Sequence, residues 1–155
     1  MTTALLEVCV ADAESLAAAI SGGADRIELC SALELGGLTP APGLMLLAAR
    51  APIPVYAMVR PRSGDFVYSA AELDLMRADI DAIRNAGLAG VVIGASRSDG
   101  RLDEEMLRRL SSHAQGLGVT LHRAFDLAPD FAAATESAIG LGIERILTSG
   151  GARSV

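Results

Sequence analysis

Short apolar runs of four to seven residues alternate along the chain with longer stretches in which apolar positions recur every three or four residues. Such alternation is the signature of repeated strand–helix units feeding a parallel sheet. The pattern predicts six strands, near 4–10, 26–30, 54–60, 90–94, 118–124 and 144–148, with helices near 12–21, 42–50, 69–86, 103–116 and 129–140. Asp12, Ser69 and Asp103 stand where side chains can cap helix starts, and Ser69 is followed three residues on by Glu72, a capping box. Gly87 and Gly140 suit helix ends, where glycine takes the left-handed conformation without steric cost.

Within the strands, alternate side chains share a face. Glu-x-Cys occurs twice, at Glu7/Cys9 and Glu28/Cys30, 21 positions apart, which is one strand, one helix and a return. Two carboxylates and two thiols are therefore predicted to meet on neighbouring strands, where an ionised group is costly without a polar partner. A second repeat, Gly23-Ala-Asp-Arg26-Ile27 and Gly142-Ile-Glu-Arg145-Ile146, opens the second and the sixth strands. A recurrence four units apart suggests two related four-unit halves, hence an α/β fold of the (β/α)₈ TIM-barrel type. Complete barrels take about 250 residues, or at least about 200. The expectation for residues 1–155 is a single, incomplete barrel domain holding six of eight units, its first and sixth strand edges covered by pairing between copies in a homo-oligomer.

Composition narrows the function. With 155 residues and 51% hydrophobic content, one domain can bury a sizeable core. A net charge of −6 argues against nucleic acid, whose binding rests on clustered cations. All 13 basic residues are arginine, so Schiff-base chemistry, pyridoxal phosphate attachment and a P-loop lysine are excluded for this chain. The start of the chain lacks the basic and long apolar stretch of a secretion signal, and no uncharged run approaches the roughly 18 residues that cross a bilayer. A cytoplasmic protein with no membrane partner is expected, its two cysteines present as thiols.

Active sites of these barrels lie at the carboxyl ends of the strands. Five of the six strands end in polar groups: Glu7 and Cys9; Glu28 and Cys30; Arg60 and Arg62; His122 with Asp126; and Thr148-Ser149-Gly150-Gly151. Glu7, Glu28 and His122 are candidates for acid–base catalysis; ion pairing of the acids with interior arginines, and a hydrogen-bonded core histidine, are the structural alternatives. Arg60 and Arg62 can clamp a phosphate or carboxylate, or pair with Glu7, Glu28 or Asp65. Asp126, Ser149 and Gly150 complete the candidate binding set, the glycine-rich stretch offering backbone N–H groups to an anion. Gly36-Gly-Leu-Thr-Pro40 reads as a loop over the strand ends, and His113 as a solvated residue on an exposed helix. Cys9 and Cys30 are either small buried residues or ligands for a soft ion, Cu(I) above all, for which two thiolates suffice where structural zinc wants four ligands.

Taken as a set, Leu6-Glu-Val-Cys-Val10, Gly23-Ala-Asp-Arg-Ile-Glu-Leu-Cys-Ser31, Gly36-Gly-Leu-Thr-Pro40, Val59-Arg-Pro-Arg62, Gly64-Asp-Phe-Val-Tyr68, His122-Arg-Ala-Phe-Asp126 and Ile146-Leu-Thr-Ser-Gly-Gly151 resemble the CutC family over nearly the whole chain. The resemblance implies a cytoplasmic (β/α)₈-type barrel concerned with copper homeostasis, with Cys9 and Cys30 as Cu(I) ligands. The competing expectation is a barrel enzyme acting on a small anionic substrate through Glu7, Glu28 or His122.

Overall fold

The computed structural model describes residues 4–152. Six parallel strands lie in sequence order in one sheet: β1 (Glu7–Val10), β2 (Arg26–Leu29), β3 (Val55–Met58), β4 (Gly90–Ile93), β5 (Gly118–Leu121) and β6 (Arg145–Ile146). The helices between them are α1 (Ala13–Ser21), α2 (Pro42–Ala48), α3 (Ala70–Ala86), α4 (Glu104–His113) and α5 (Phe131–Gly140). Asp12, Ser69 and Asp103 cap α1, α3 and α4 as expected, and the Ser69/Glu72 box is closed in both directions. Leu73, Met76, Ile80 and Ile83 of α3 follow a three-four-three spacing and are all buried, so one stripe of this helix packs on the sheet. Among the described residues no helix is long and apolar enough to cross a membrane.

The two faces of the sheet differ in character. Val10, Ile27, Leu29, Ala57, Val59, Val91, Ile93 and Leu121 point to the helices and form the large apolar core, each fully shielded from water. The opposite face carries Glu7, Cys9, Arg26, Glu28, Cys30, Tyr56, Met58, Arg60, Thr120, His122 and Arg145, as the two-residue period of the strands requires. This second face curls inward. In a flat sheet Arg145 of β6 would stand three strands, roughly 14 Å, from Tyr56 of β3, yet its guanidinium lies 4.7 Å from the Tyr56 ring centre. The architecture is thus a half-barrel of the TIM type, six units of the eight, with helices outside and polar side chains within.

Several predicted boundaries shorten: the first strand starts at Glu7 rather than 4, the third ends at Met58 rather than 60, the fourth helix ends at His113 rather than 116, and the sixth strand spans only Arg145–Ile146. The fifth strand was expected to run to residue 124 but ends at Leu121, because the His122 ring accepts the Ala124 backbone N–H and turns the chain into a 3₁₀ segment, Arg123–Leu127. His122 still donates its backbone N–H to the Ile93 carbonyl at 2.9 Å, so its ring stays on the inner face at the end of the sheet.

Candidate functional site

At the amino-terminal end of the strands, the interior is plugged by Tyr56. Arg26 and Arg145 lie against its ring, at 5.6 and 4.7 Å, and Gly90 and Gly118 make room for it, since a β-carbon at either would fall within 2.7 Å of the ring or its hydroxyl. Arg26 is ion-paired with Glu7, and Arg145 donates to Thr120 Oγ1 at 2.9 Å. Glu7, considered above for catalysis, therefore serves as the counter-charge of Arg26 at the far end from the strand termini.

At the carboxyl end the arrangement is different. Arg60 is 6% exposed and follows β3 into the mouth of the half-barrel. Its Nη1 donates to the Leu35 and Gly37 carbonyls at 2.8 and 3.2 Å, and its Nη2 to the Gly64 carbonyl at 3.0 Å. The guanidinium thereby ties together two loops, including the glycine loop expected to cross the strand ends. A guanidinium has five N–H donors, so Nε and one Nη2 proton are left over, and Nε is buried with no acceptor. The buried Tyr68 hydroxyl stands beside the same guanidinium, which opposes the rise that burial gives the phenol pKa. Among the described residues no carboxylate lies within ion-pair distance of Arg60.

Phe66 forms the wall between Arg60 and His122. The guanidinium stands 4.9 Å from its ring centre and the imidazole 4.7 Å, tilted by 45°. On its other side the imidazole fills the space left by Gly94, where a β-carbon would come within 2.2 Å of the ring. His122 is 2% exposed, and burial, reinforced by the Arg60 charge, lowers its pKa to about 3, so the ring is neutral at ordinary pH. Its Nδ1 accepts the Ala124 N–H at 3.1 Å while Nε2 is buried without a partner. Glu28 Oε2 is likewise buried without a partner. Glu28, Arg60, Phe66 and His122 line one cavity of about 60 Å³. Arg60, Phe66 and Arg123 also border an adjoining hollow of about 330 Å³ that opens past Asp126 and Gly151.

Both cysteine thiols point at one atom. Cys9 Sγ lies 3.4 Å and Cys30 Sγ 3.8 Å from Glu28 Oε1. Although Cys9 as a residue is exposed at the sheet edge, burial around its sulfur and then the Glu28 charge push its pKa up to about 12, and the same causes raise Cys30. Burial likewise raises the Glu28 carboxyl, opposed by the two thiol hydrogen bonds. Both sulfurs are thus protonated and donate to Glu28 Oε1. Among the described residues no three His, Cys, Asp or Glu side chains are grouped to hold a metal ion.

The remaining candidates lie elsewhere. Arg62 is held by Glu72 at 2.5 Å and Asp65 at 3.1 Å and rests on Tyr68, clamping the 61–68 loop to the start of α3 rather than facing the cavity. Asp126 borders the outer hollow, but its carboxylate accepts from Thr148 Oγ1 (2.5 Å), Ser149 N, Gly151 N and Arg123 Nε. Burial raises its pKa, yet these hydrogen bonds outweigh burial and hold it well below the usual carboxylate range. The backbone amides of Ser149 and Gly151 are occupied by this internal anion, Gly150 N donates to Thr148 Oγ1, and the Ser149 hydroxyl also bonds Asp126, so the stretch fastens a loop instead of presenting a free nest. His113, expected to be solvated, bridges α4 to Asp81 of α3 at 2.9 Å.

The sequence profile of the CutC family matches residues 4–155. A CutC protein of Sinorhizobium medicae is 68% identical over 154 residues, covering 99% of this chain and 63% of its own length, and one of Caulobacter vibrioides is 66% identical over 150 residues, covering 97% and 61%. The chain thus spans about three-fifths of these relatives. A solved CutC structure from Streptococcus agalactiae superposes with a TM-score of 0.91 at 33% identity, covering 96% of this chain and 74% of the other. A 2,3-dimethylmalate lyase superposes at 0.63 with 15% identity over 93% of this chain and 56% of its own, a likeness of fold alone. On the matching profile, these identities and the shared half-barrel, the chain belongs to the CutC family.

Proposed function

We propose that this chain binds a small anionic molecule at the open strand ends and carries out proton transfer on it, with Arg60 holding the negative charge and Glu28 the group that gives or takes the proton. The observation that carries this reading is the buried Arg60 guanidinium, which among the described residues has no carboxylate partner and keeps its Nε–H without an acceptor beside a cavity. A charge left so far from water without a counter-ion is costly, and a bound anion supplies the missing partner through strong charge-assisted hydrogen bonds. His122, neutral and walled in, acts as a hydrogen-bond donor in this scheme and not as the acid or base. Calorimetric titration with small carboxylates and inorganic phosphate tests it: binding should weaken at least tenfold in Arg60→Lys, which keeps the charge but loses the fork, and stay unchanged in Cys9→Ser. Equal affinities in wild type and Arg60→Lys would overturn the assignment.

A second reading concerns copper, because both thiols reach the same Glu28 oxygen and the Streptococcus agalactiae relative is named for copper homeostasis. Cys9 and Cys30 have the donor type that Cu(I) prefers, but both protons must leave before the ion can enter, so uptake is expected to fall as pH falls. Competition against a Cu(I) chelator decides the matter: the Cys9→Ser/Cys30→Ser double variant should lose affinity, and an unchanged value removes the site. In either reading the chain works in a reducing cytoplasm and pairs with further copies of itself. Light scattering that stays monomeric with rising concentration would remove the pairing.

A further inference from the structure

Three polar atoms of the inner cavity are buried and unpartnered: Arg60 Nε, His122 Nε2 and Glu28 Oε2. Two of them have a fixed chemical sense. Arg60 can only donate. The Nδ1 lone pair of His122 is engaged by the Ala124 N–H, so in the neutral ring the proton sits on Nε2, which becomes a donor aimed at nothing in the protein. The ring cannot rotate to exchange these roles without losing that bond, and Phe66 and the space at Gly94 hold it on both faces. Since Arg60 and His122 both lie against the single ring of Phe66, at 4.9 and 4.7 Å, one small molecule can reach both. A cavity of about 60 Å³ admits only a few heavy atoms before the ligand must extend into the outer hollow.

Resting on the anion-binding reading above, we infer that the ligand is a small carboxylic acid carrying an oxygen on the carbon next to the carboxylate, a 2-oxo or 2-hydroxy acid, with the carboxylate on Arg60 and the neighbouring oxygen accepting from His122 Nε2–H. A carboxylate alone leaves the His122 donor buried and unmatched, which costs about as much as a lost hydrogen bond. An oxygen one carbon away is the shortest way to satisfy it. Glu28 then separates the two subclasses. A protonated Oε2 adds a second donor toward a carbonyl, whereas an ionised Oε2 accepts from a hydroxyl.

Titration of the full chain with pyruvate, lactate, propionate and inorganic phosphate tests the inference. Pyruvate or lactate should bind at least about tenfold more tightly than propionate, the effect of one otherwise unmet hydrogen bond. His122→Phe should abolish that preference, and His122→Gln, which keeps an N–H donor, should restore part of it. Nitrogen-15 NMR of the wild-type imidazole should show the Nε2–H tautomer, a readout independent of whether the variants fold. Equal affinity for propionate and its oxygenated analogues, phosphate binding as tight as pyruvate, or the Nδ1–H tautomer would each overturn the inference while leaving anion binding intact. No binding by any of the four probes would overturn the anion reading with it.

Discussion

The base and the mouth of the half-barrel both bury arginine, and they do so in opposite ways. At the base, Arg26 and Arg145 flank Tyr56, Arg26 is neutralised by Glu7, and Arg145 is bonded to Thr120, so the polar groups there are spent on one another. At the mouth, Arg60 has three backbone carbonyls but no carboxylate, and three polar atoms around one cavity lack partners. Buried polar groups in a folded chain are nearly always satisfied. A concentration of exceptions falls at the carboxyl ends of the strands, where this fold builds its sites, so on the proposed reading the ligand binds at the mouth while the base holds the sheet in its curl.

Substitutions that separate stability from binding test that contrast. Tyr56→Ala should destabilise the chain by about 3–5 kcal/mol in denaturant unfolding, the cost of deleting a buried aromatic, and leave anion affinity untouched; weakened binding would dissolve the distinction between the two ends. The second effect is on pH. The His122 pKa is lowered to about 3 in the folded chain against about 6.5 when unfolded, so below about pH 6.5 the unfolded chain binds a proton that the folded one refuses. Stability should therefore fall by about 1.4 kcal/mol per unit as pH drops from 6.5 toward 3 and level off below, and His122→Phe should flatten this slope in pH-dependent urea melts.

Gly94→Ala sharpens the contrast from the mouth side. Its methyl would overlap the His122 ring, so an overpacking cost of about 1–3 kcal/mol is expected together with loss of ligand binding. The smallest effect is assigned to Asp126→Asn, at about 1–2 kcal/mol for weakened hydrogen bonds to the 148–151 segment. Because the folded carboxyl sits below its unfolded value, its contribution is fully present above about pH 4 and is lost as pH falls through the lower folded value. Comparing the acid limbs of wild type and Asp126→Asn, with His122→Phe as the common background, isolates that contribution.

The repeat of Arg26-Ile27 and Arg145-Ile146 was legible as a sign of barrel symmetry, and the structure adds its physical role, two arginines on one tyrosine ring. Glu28 with Cys9 and Cys30 was legible because strand alternation alone brings them to one face. Arg62, Asp126, Ser149 and Gly150 were not separable from site residues, since a loop clamp and an anion site use the same donors and acceptors. Phe66 and Gly94 were missed for another reason. Phe66 matters as a wall, and Gly94, just past the end of β4, matters only as space.

Periodicity and capping residues, which depend on neighbours a few positions apart, determined six strands with five helices between them, the helix starts and which side chains share the inner face. Long-range contacts decided the rest: that Glu7 is consumed by Arg26, that Asp126 fills the amide nest, that His122 is neutral with its proton on Nε2, and that Arg60 is left without a counter-charge. These are properties of partners brought together by the curl of the sheet. Whether a charged or polar atom is satisfied depends on what stands within about 3 Å of it, and spacing along a chain does not carry that distance.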